Sequence, residues 1–390
     1  MSEAGARLKA IRKRRQMTQR GLADASGVGL TVIRDLEQGN QQGARLEIWR
    51  RLAVTLRVAT MSLAGGGDEE GPAPGAKEQL TELRAALNAP PVTADAWDEP
   101  PTVHGVEEAL AAAMPHFRMD EYDELARVLP KIVREADGLD GLDGRRVRSR
   151  VMQLTGWLLT QNRLFDDAED ALARSLAEST DLDHAAASIS TLCWLHMRTG
   201  RLDAAKELAI KWADETEPRI SKATSGQLCA WGWMLLRVST SAVRDGDGAQ
   251  AKDAMRFARS AATALGREVS PSSDFLRTFG PTTVLLKRAE NASVLDRPDT
   301  VLQLASAVPA GGIRPTSNNR NRHLLDVSYA HAKKGQHAEA IERLLDIRRT
   351  SAQWLPHQRF ARDVLAKVVE GRRTLTDDMR DLADLVRLPL

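Results

Sequence analysis

Apolar residues recur at helical spacing through almost the whole chain, broken by short polar turns, and this period predicts an all-α fold. Residues 6–63 carry a set of short helical patterns. Leu8, Ile11, Leu22, Ala23, Val28, Ile33, Leu36, Leu46, Trp49, Leu52, Ala53 and Leu56 supply the apolar positions of one small core. The pattern then fails. AGGGDEEGPAPG (Ala64–Gly75) and APPVTADAWDEPP (Ala89–Pro101) have no apolar face and are rich in Gly, Pro and acid, which is linker composition. Between them Lys77–Asn88 places Leu80, Leu83 and Leu87 at helical spacing. The whole stretch is expected to be a tether. From Val103 onward amphipathic helices follow one another to the end. The expected domains are therefore 1–64, 65–104 and 105–390.

The third segment repeats. Ala205 stands five residues after Gly200, Ala251 five after Gly246 and Ala340 five after Gly335. Ala168 in FDDAEDALARSL and Val301 in DRPDTVLQLA extend this small column, giving spacings of 37, 46, 50 and 39 residues. Eleven residues before the small column stand Trp157, Trp194 and Tyr329. Large-then-small at this interval suits a helical hairpin, with the aromatic on the first helix and the small residue admitting the second. The units resemble tetratricopeptide repeats, with Ala186–Pro218 the best copy. Such units cannot bury their faces singly, so they stack into a curved solenoid with a concave inner surface.

Charge separates the segments more sharply than composition does. Residues 1–63 hold 12 Lys/Arg against 5 Asp/Glu, 64–104 hold 2 against 8, and 105–390 are nearly balanced at 41 against 40. Only the first segment has the electrostatic footprint of a polyanion partner. Cys193 and Cys229 lie far apart in helical patterns, so a disulfide framework is not expected and a reducing cytoplasm is. No apolar leader and no membrane span are expected, since no run of 18 apolar residues occurs.

The candidate chemistry of the first segment lies in MTQRGLADASGVGLTVIRDLEQGN (Met17–Asn40). Thr18 is placed to cap a helix starting at Gln19. Gly27 falls at that helix's end, where a positive φ favours Gly. Ala23 is small where two helices cross. The stretch resembles the Cro/C1, or xenobiotic-response-element type, helix-turn-helix over about residues 5–63, and the resemblance implies a five-helix DNA-binding domain. It also implies an ion pair between Arg12 and Glu37. The third helix, about Leu30–Gln38, would lie in the major groove. There Leu30 and Thr31 suit a thymine methyl, Arg34 a guanine edge or a phosphate, and Asp35 a cytosine amino group. Gln19 is expected on a phosphate, and Asn40, Gln42 and Arg45 on the backbone. Gly29 and Leu30 open the reading helix without polar side chains, so one module should bind weakly and a homodimer on two half-sites is expected.

The whole arrangement resembles helix-turn-helix regulators with a C-terminal tetratricopeptide sensor, as in the quorum-sensing regulators of Gram-positive, GC-rich bacteria. That resemblance implies a dimer whose operator binding is switched by a peptide or small molecule in the concave groove. Pro281 suits the first position of a helix whose Thr283, Lys287 and Asn291 share one face. An Asn there can hold an extended peptide backbone, because it donates and accepts at once. Other groove candidates are Gln153, Trp157, Trp194, Trp233, Arg237, Asn321 and Tyr329, although an aromatic in a repeat column is also an ordinary core residue. NNRNRH (Asn318–His323) reads as a loop leading into a helix cap. No enzyme is expected. Gly65–Gly67 lacks the following Lys-Ser/Thr of a phosphate loop, His323 and His331 have no further metal ligands beside them, and no cofactor motif occurs. The rival function is a protein-interaction adaptor, in which the repeats bind a partner protein and DNA contact is auxiliary.

Overall fold

The structure is a computed structural model that describes residues 3–40, 46–56, 63, 75–90, 97–309, 316–372 and 374–390. Twenty α-helices and no strands occur among them. The head is formed by α1 (Glu3–Arg14), α2 (Gln19–Ser26), α3 (Leu30–Gln38) and α4 (Leu46–Leu56). Leu8, Leu22, Ile33, Leu36, Leu52 and Leu56 are almost wholly inaccessible in its core, and helical Leu63 joins them. The rest of the expected fifth helix lies outside the described residues.

The tether expectation is corrected in part. Helices α5 (Ala76–Gln79) and α6 (Thr81–Asn88) belong to the repeat body, because Leu80, Leu83 and Leu87 are buried in the same core as the first repeat helices. Arg84 Nε meets Asp167 Oδ2 at 2.7 Å, and Arg174 Nη1 donates to the Leu87 carbonyl at 2.9 Å.

Seven helix pairs follow: α7 (Val103–Arg118) with α8 (Tyr122–Asp137), α9 (Gly141–Gln161) with α10 (Phe165–Glu178), α11 (Leu182–Arg198) with α12 (Leu202–Glu215), and α13 (Ser225–Arg244) with α14 (Gly248–Leu265). The last three are α15 (Pro281–Val294) with α16 (Pro298–Ser306), α17 (Ser317–Lys333) with α18 (His337–Thr350), and α19 (Arg359–Glu370) with α20 (Asp377–Val386). The first six pairs turn through one left-handed residue at the same place: Asp120, Arg163, Gly200, Gly246, Asp296 and Gly335. Five residues beyond each stand Leu125, Ala168, Ala205, Ala251, Val301 and Ala340, all buried.

The partner of this column on the first helix lies twelve residues back, not eleven. It reads Ala113, Gly156, Cys193, Ser239, Ala289 and Ser328, small throughout and buried. Ser239 Oγ donates to the Ala251 carbonyl and Ser328 Oγ to the Ala340 carbonyl, both at 2.7 Å, so the backbones approach closely at this level. The aromatic column one residue later therefore points away from its own hairpin. Trp157 packs edge-on against Phe117 and Tyr122 of the preceding pair. Tyr329 packs against Phe360 of the following one.

The stack curls until its ends meet. Asp120, in the first turn, accepts from Ser317 Oγ at 2.9 Å and Asn321 Nδ2 at 3.1 Å. Arg163 Nη2 and Arg198 Nη2 both donate to the His357 carbonyl, at 3.3 and 3.4 Å. NNRNRH is therefore not a loop: Asn318–His323 lies within α17, where Asn318 Oδ1 accepts from Trp354 Nε1 at 2.8 Å.

Burial pushes the Asp120 carboxyl up to about 6 despite its hydrogen bonds. An unfolded Asp ionises near pH 4, so between about pH 4 and 6 the folded state binds more protons and stability falls as pH rises. Asp120→Asn keeps a residue that tolerates the left-handed turn. Thermal melts from pH 4 to 7 are expected to show the wild type losing up to about 3 kcal/mol relative to this variant. A flat difference between the two would contradict the role of Asp120 in joining the ends.

Candidate nucleic-acid interface and repeat groove

The head places its motif residues by local rules. Thr18 Oγ1 accepts from the Gly21 amide at 2.9 Å and caps α2. Gly27 ends α2 with φ 63°, and Arg51 Nη2 donates to its carbonyl at 2.9 Å. The expected ion pair is present: Arg12 Nε and Nη2 reach Glu37 Oε1 and Oε2 at 2.6 and 2.8 Å. Burial works against the Glu37 charge, but the hydrogen bonds from Arg12 and Gln19 outweigh it, so the carboxyl ionises below its usual range. This pair ties α1 to the end of α3 and fixes how α3 is presented.

Thr31 and Arg34 are exposed on α3, while Leu30 and Asp35 are half-buried and Leu30 packs against the head core. Gln38 completes the exposed face at positions i, i+3 and i+7, and sequence reasoning missed it. Its Oε1 accepts from Nδ2 of the exposed Asn40 at 3.1 Å. Gln19, expected on a phosphate, donates from its amide Nε2 to Glu37 Oε2 at 2.7 Å. Its place at the start of α2 is thus held by the Arg12–Glu37 pair. Gln42 and Arg45 lie outside the described residues.

The inner helices of the repeat body enclose a cavity of about 880 Å³. Trp157, Trp194, Trp233, Arg237 and Lys287 stand on its wall. The other candidates do not line it, and each has at least one polar atom in contact elsewhere. Gln153 Nε2 approaches Asp274 at 3.4 Å, Thr283 Oγ1 donates to Glu268 at 2.8 Å, and Asn291 Nδ2 donates to Ser239 at 2.8 Å. Asn321 holds Asp120, and the Tyr329 hydroxyl faces Asp296 at 3.4 Å. The polar strip expected on α15 therefore contributes Lys287 alone.

The aromatic column explains part of the wall. The same position in α13 and α15 is Thr240 and Glu290, and both face the cavity beside Trp157 and Trp194. Glu290 is a buried hub, with Lys287 Nζ at 2.8 Å and Arg244 Nη2 at 2.5 Å. Burial works against its charge, but these cations hold the carboxyl well below the usual range. Arg277 and Arg322 were not expected, since their counter-charges Asp274 and Asp326 sit only three and four residues away and read as helix-surface pairs. Arg50 was not expected either. It extends from α4 of the head and lies 5.7 Å from the Phe360 ring, on the same cavity wall. Burial, with Arg244 and Arg322 nearby, pushes its guanidinium down to about 10.

Both cysteines are free and buried, and burial pushes both thiols up to about 12, far from a reactive thiolate. Among the described residues no group of three or more His, Cys, Asp or Glu is placed to hold a metal, and no helix is long and apolar enough to cross a membrane.

Residues 8–61 match a family model described as helix-turn-helix. No curated protein and no solved structure matches the chain. The matched segment is the head, whose α3 is held by the Arg12–Glu37 pair and exposes Thr31 and Arg34, so the chain carries a helix-turn-helix segment at residues 8–61.

Proposed function

We propose that a peptide or small-molecule ligand in the groove of the tetratricopeptide-like body controls operator binding by the head. The observation that carries this reading is Arg50: one side chain of the DNA-binding head forms part of the wall of the cavity that would hold the ligand. A ligand that fills the cavity competes with that placement, and so favours a different disposition of head and body. The ligand shifts the population of head arrangements only by its differential affinity for them. The protein acts as a cytoplasmic homodimer. Two heads must meet half-sites about 34 Å apart or a multiple of it, so a small change in head placement decides whether both engage.

The test uses the full chain, an operator fragment, and a panel of synthetic peptides and fractionated culture extracts. At least one is expected to change operator affinity in the wild type, and the effect is expected to vanish in Trp194→Ala. Trp194 is half-buried on the cavity wall and remote from α3, so this variant should bind the unliganded operator normally. An unchanged response in Trp194→Ala would remove the groove from the mechanism. A repeat body that captures a stoichiometric protein partner, with no ligand effect, would favour the adaptor function instead.

A further inference from the structure

The cavity wall carries twelve Lys and Arg side chains against four Asp and Glu. At least six of these cations are balanced by carboxylates among the described residues. Arg277 meets Asp274 at 3.0 Å, Arg322 meets Asp326 at 3.1 Å, and Lys287 and Arg244 share Glu290. Arg237 is different. It is buried, its Nε donates to Ser190 Oγ at 3.0 Å, and no carboxylate lies within ion-pair distance of it among the described residues. Neither terminal nitrogen of its guanidinium donates to a described acceptor. Burial, with Arg277 nearby, pushes this guanidinium down to about 9. Three cations crowd the Trp233 ring: Arg237 at 5.2 Å, Arg277 at 5.8 Å and Lys287 at 5.9 Å from its centroid. A ring face offsets part of that charge. It supplies no acceptor for the free N–H groups, and a buried charge without a partner is costly.

We propose that the groove takes an anionic ligand, whose carboxylate or phosphate bonds the terminal nitrogens of Arg237 while an apolar ring or side chain covers Trp233 and Trp194. This rests on the reading of the groove as a ligand site and names the chemistry that site selects. Charge sets the first requirement: an anion offsets part of the excess positive charge of the wall, and a neutral ligand leaves all of it. Geometry sets the second. A guanidinium presents parallel N–H donors that match two oxygens of a carboxylate or phosphate. Size sets the third, since about 880 Å³ holds a drug-sized molecule or a few peptide residues and far exceeds a single inorganic ion. A peptide's terminal carboxylate and a small phosphate ester share this chemistry.

The full chain is titrated by calorimetry with two matched pairs: indole-3-acetate against indole-3-acetamide, and phenyl phosphate against phenol. The acid of at least one pair is expected to bind at least about tenfold more tightly than its neutral twin. The pair that shows it separates a carboxylate source from a phosphate source. Arg237→Met should reduce the preference to about twofold or less, while Arg237→Lys, which keeps the charge, should retain part of it. Arg237→Met should also melt no lower than the wild type in the absence of an anion, because it removes a buried charge that has no carboxylate partner. Equal binding of acid and neutral twin, no binding of either acid at millimolar concentration, or acid binding unchanged in Arg237→Met would overturn the proposal. The two readings fail separately. A C-terminally amidated peptide without acidic side chains that acts on operator affinity through Trp194 would overturn the anion and leave ligand control standing. Acids that bind through Arg237 without changing operator affinity would leave the anion site standing and remove ligand control.

Discussion

Replacing Thr31 and Arg34 together by alanine is expected to abolish sequence-specific DNA binding while leaving the protein folded. Both side chains are exposed on α3 and make no hydrogen bond or ion pair among the described residues. Truncating exposed residues of this kind usually shifts stability by no more than about 0.5 kcal/mol. At a base edge the same atoms matter far more. A guanidinium that reads a guanine and a methyl that meets a thymine each contribute about 1–3 kcal/mol of discrimination. The pair should therefore cost on the order of 30- to 25,000-fold in specific affinity per half-site. Nonspecific binding should fall much less, because Lys9, Lys13, Arg14 and Arg20 remain exposed on the head. Anisotropy titrations on an operator and on an unrelated duplex, at one fixed salt concentration, separate the two effects. Full specific affinity in the double variant would remove α3 as the reading helix.

Arg12→Ala is expected to unfold the head without unfolding the repeat body. The variant leaves the Glu37 carboxylate buried with only the Gln19 amide as a neutral donor. Breaking a buried pair on one side costs about 3 kcal/mol or more, a large share of what a domain of some 60 residues has to lose. The repeat body has its own cores and makes no use of this pair. Calorimetry should show a low-temperature transition falling by about 10 °C or more while the high-temperature transition stays. Arg12→Met/Glu37→Met should recover most of the loss, since an apolar pair leaves no orphan charge. The pH dependence has a fixed sign. The Glu37 carboxyl titrates below its unfolded value, so its contribution is complete above about pH 4.3 and is lost as pH falls through the folded value. A single-alanine variant as stable as the wild type would show that the pair does not hold α1 to α3.

What was legible in the sequence follows the range of the interactions. The head was readable almost residue by residue, because its determinants are local: a Thr cap, a Gly at a left-handed turn, and apolar residues at helical spacing. The repeats were readable wherever Gly200, Gly246 and Gly335 mark the turn. They were obscure at Asp120, Arg163 and Asp296, which adopt the same left-handed conformation without being Gly. The aromatic column was found but given the wrong neighbour, because the small residue one position earlier makes the close approach within the hairpin. Shifting the column would have brought Thr240 and Glu290 to the groove. The closed stack was not readable at all, since its contacts join residues about 160 to 230 apart, such as Arg198 with the His357 carbonyl and Asp123 with Gln353. That closure turns an open concave face into a cavity. It also explains why Gln153 and Asn321, which have ligand chemistry, serve the framework instead.

The central claim is that α3 reads a defined operator. Its most direct test is genome-wide chromatin capture of the tagged full chain beside the Thr31→Ala/Arg34→Ala variant, expressed at equal levels. The account predicts a small set of sharp peaks that share a palindrome in the wild type and disappear in the variant. A diffuse background with the wild type, or peaks that persist unchanged in the variant, would contradict it.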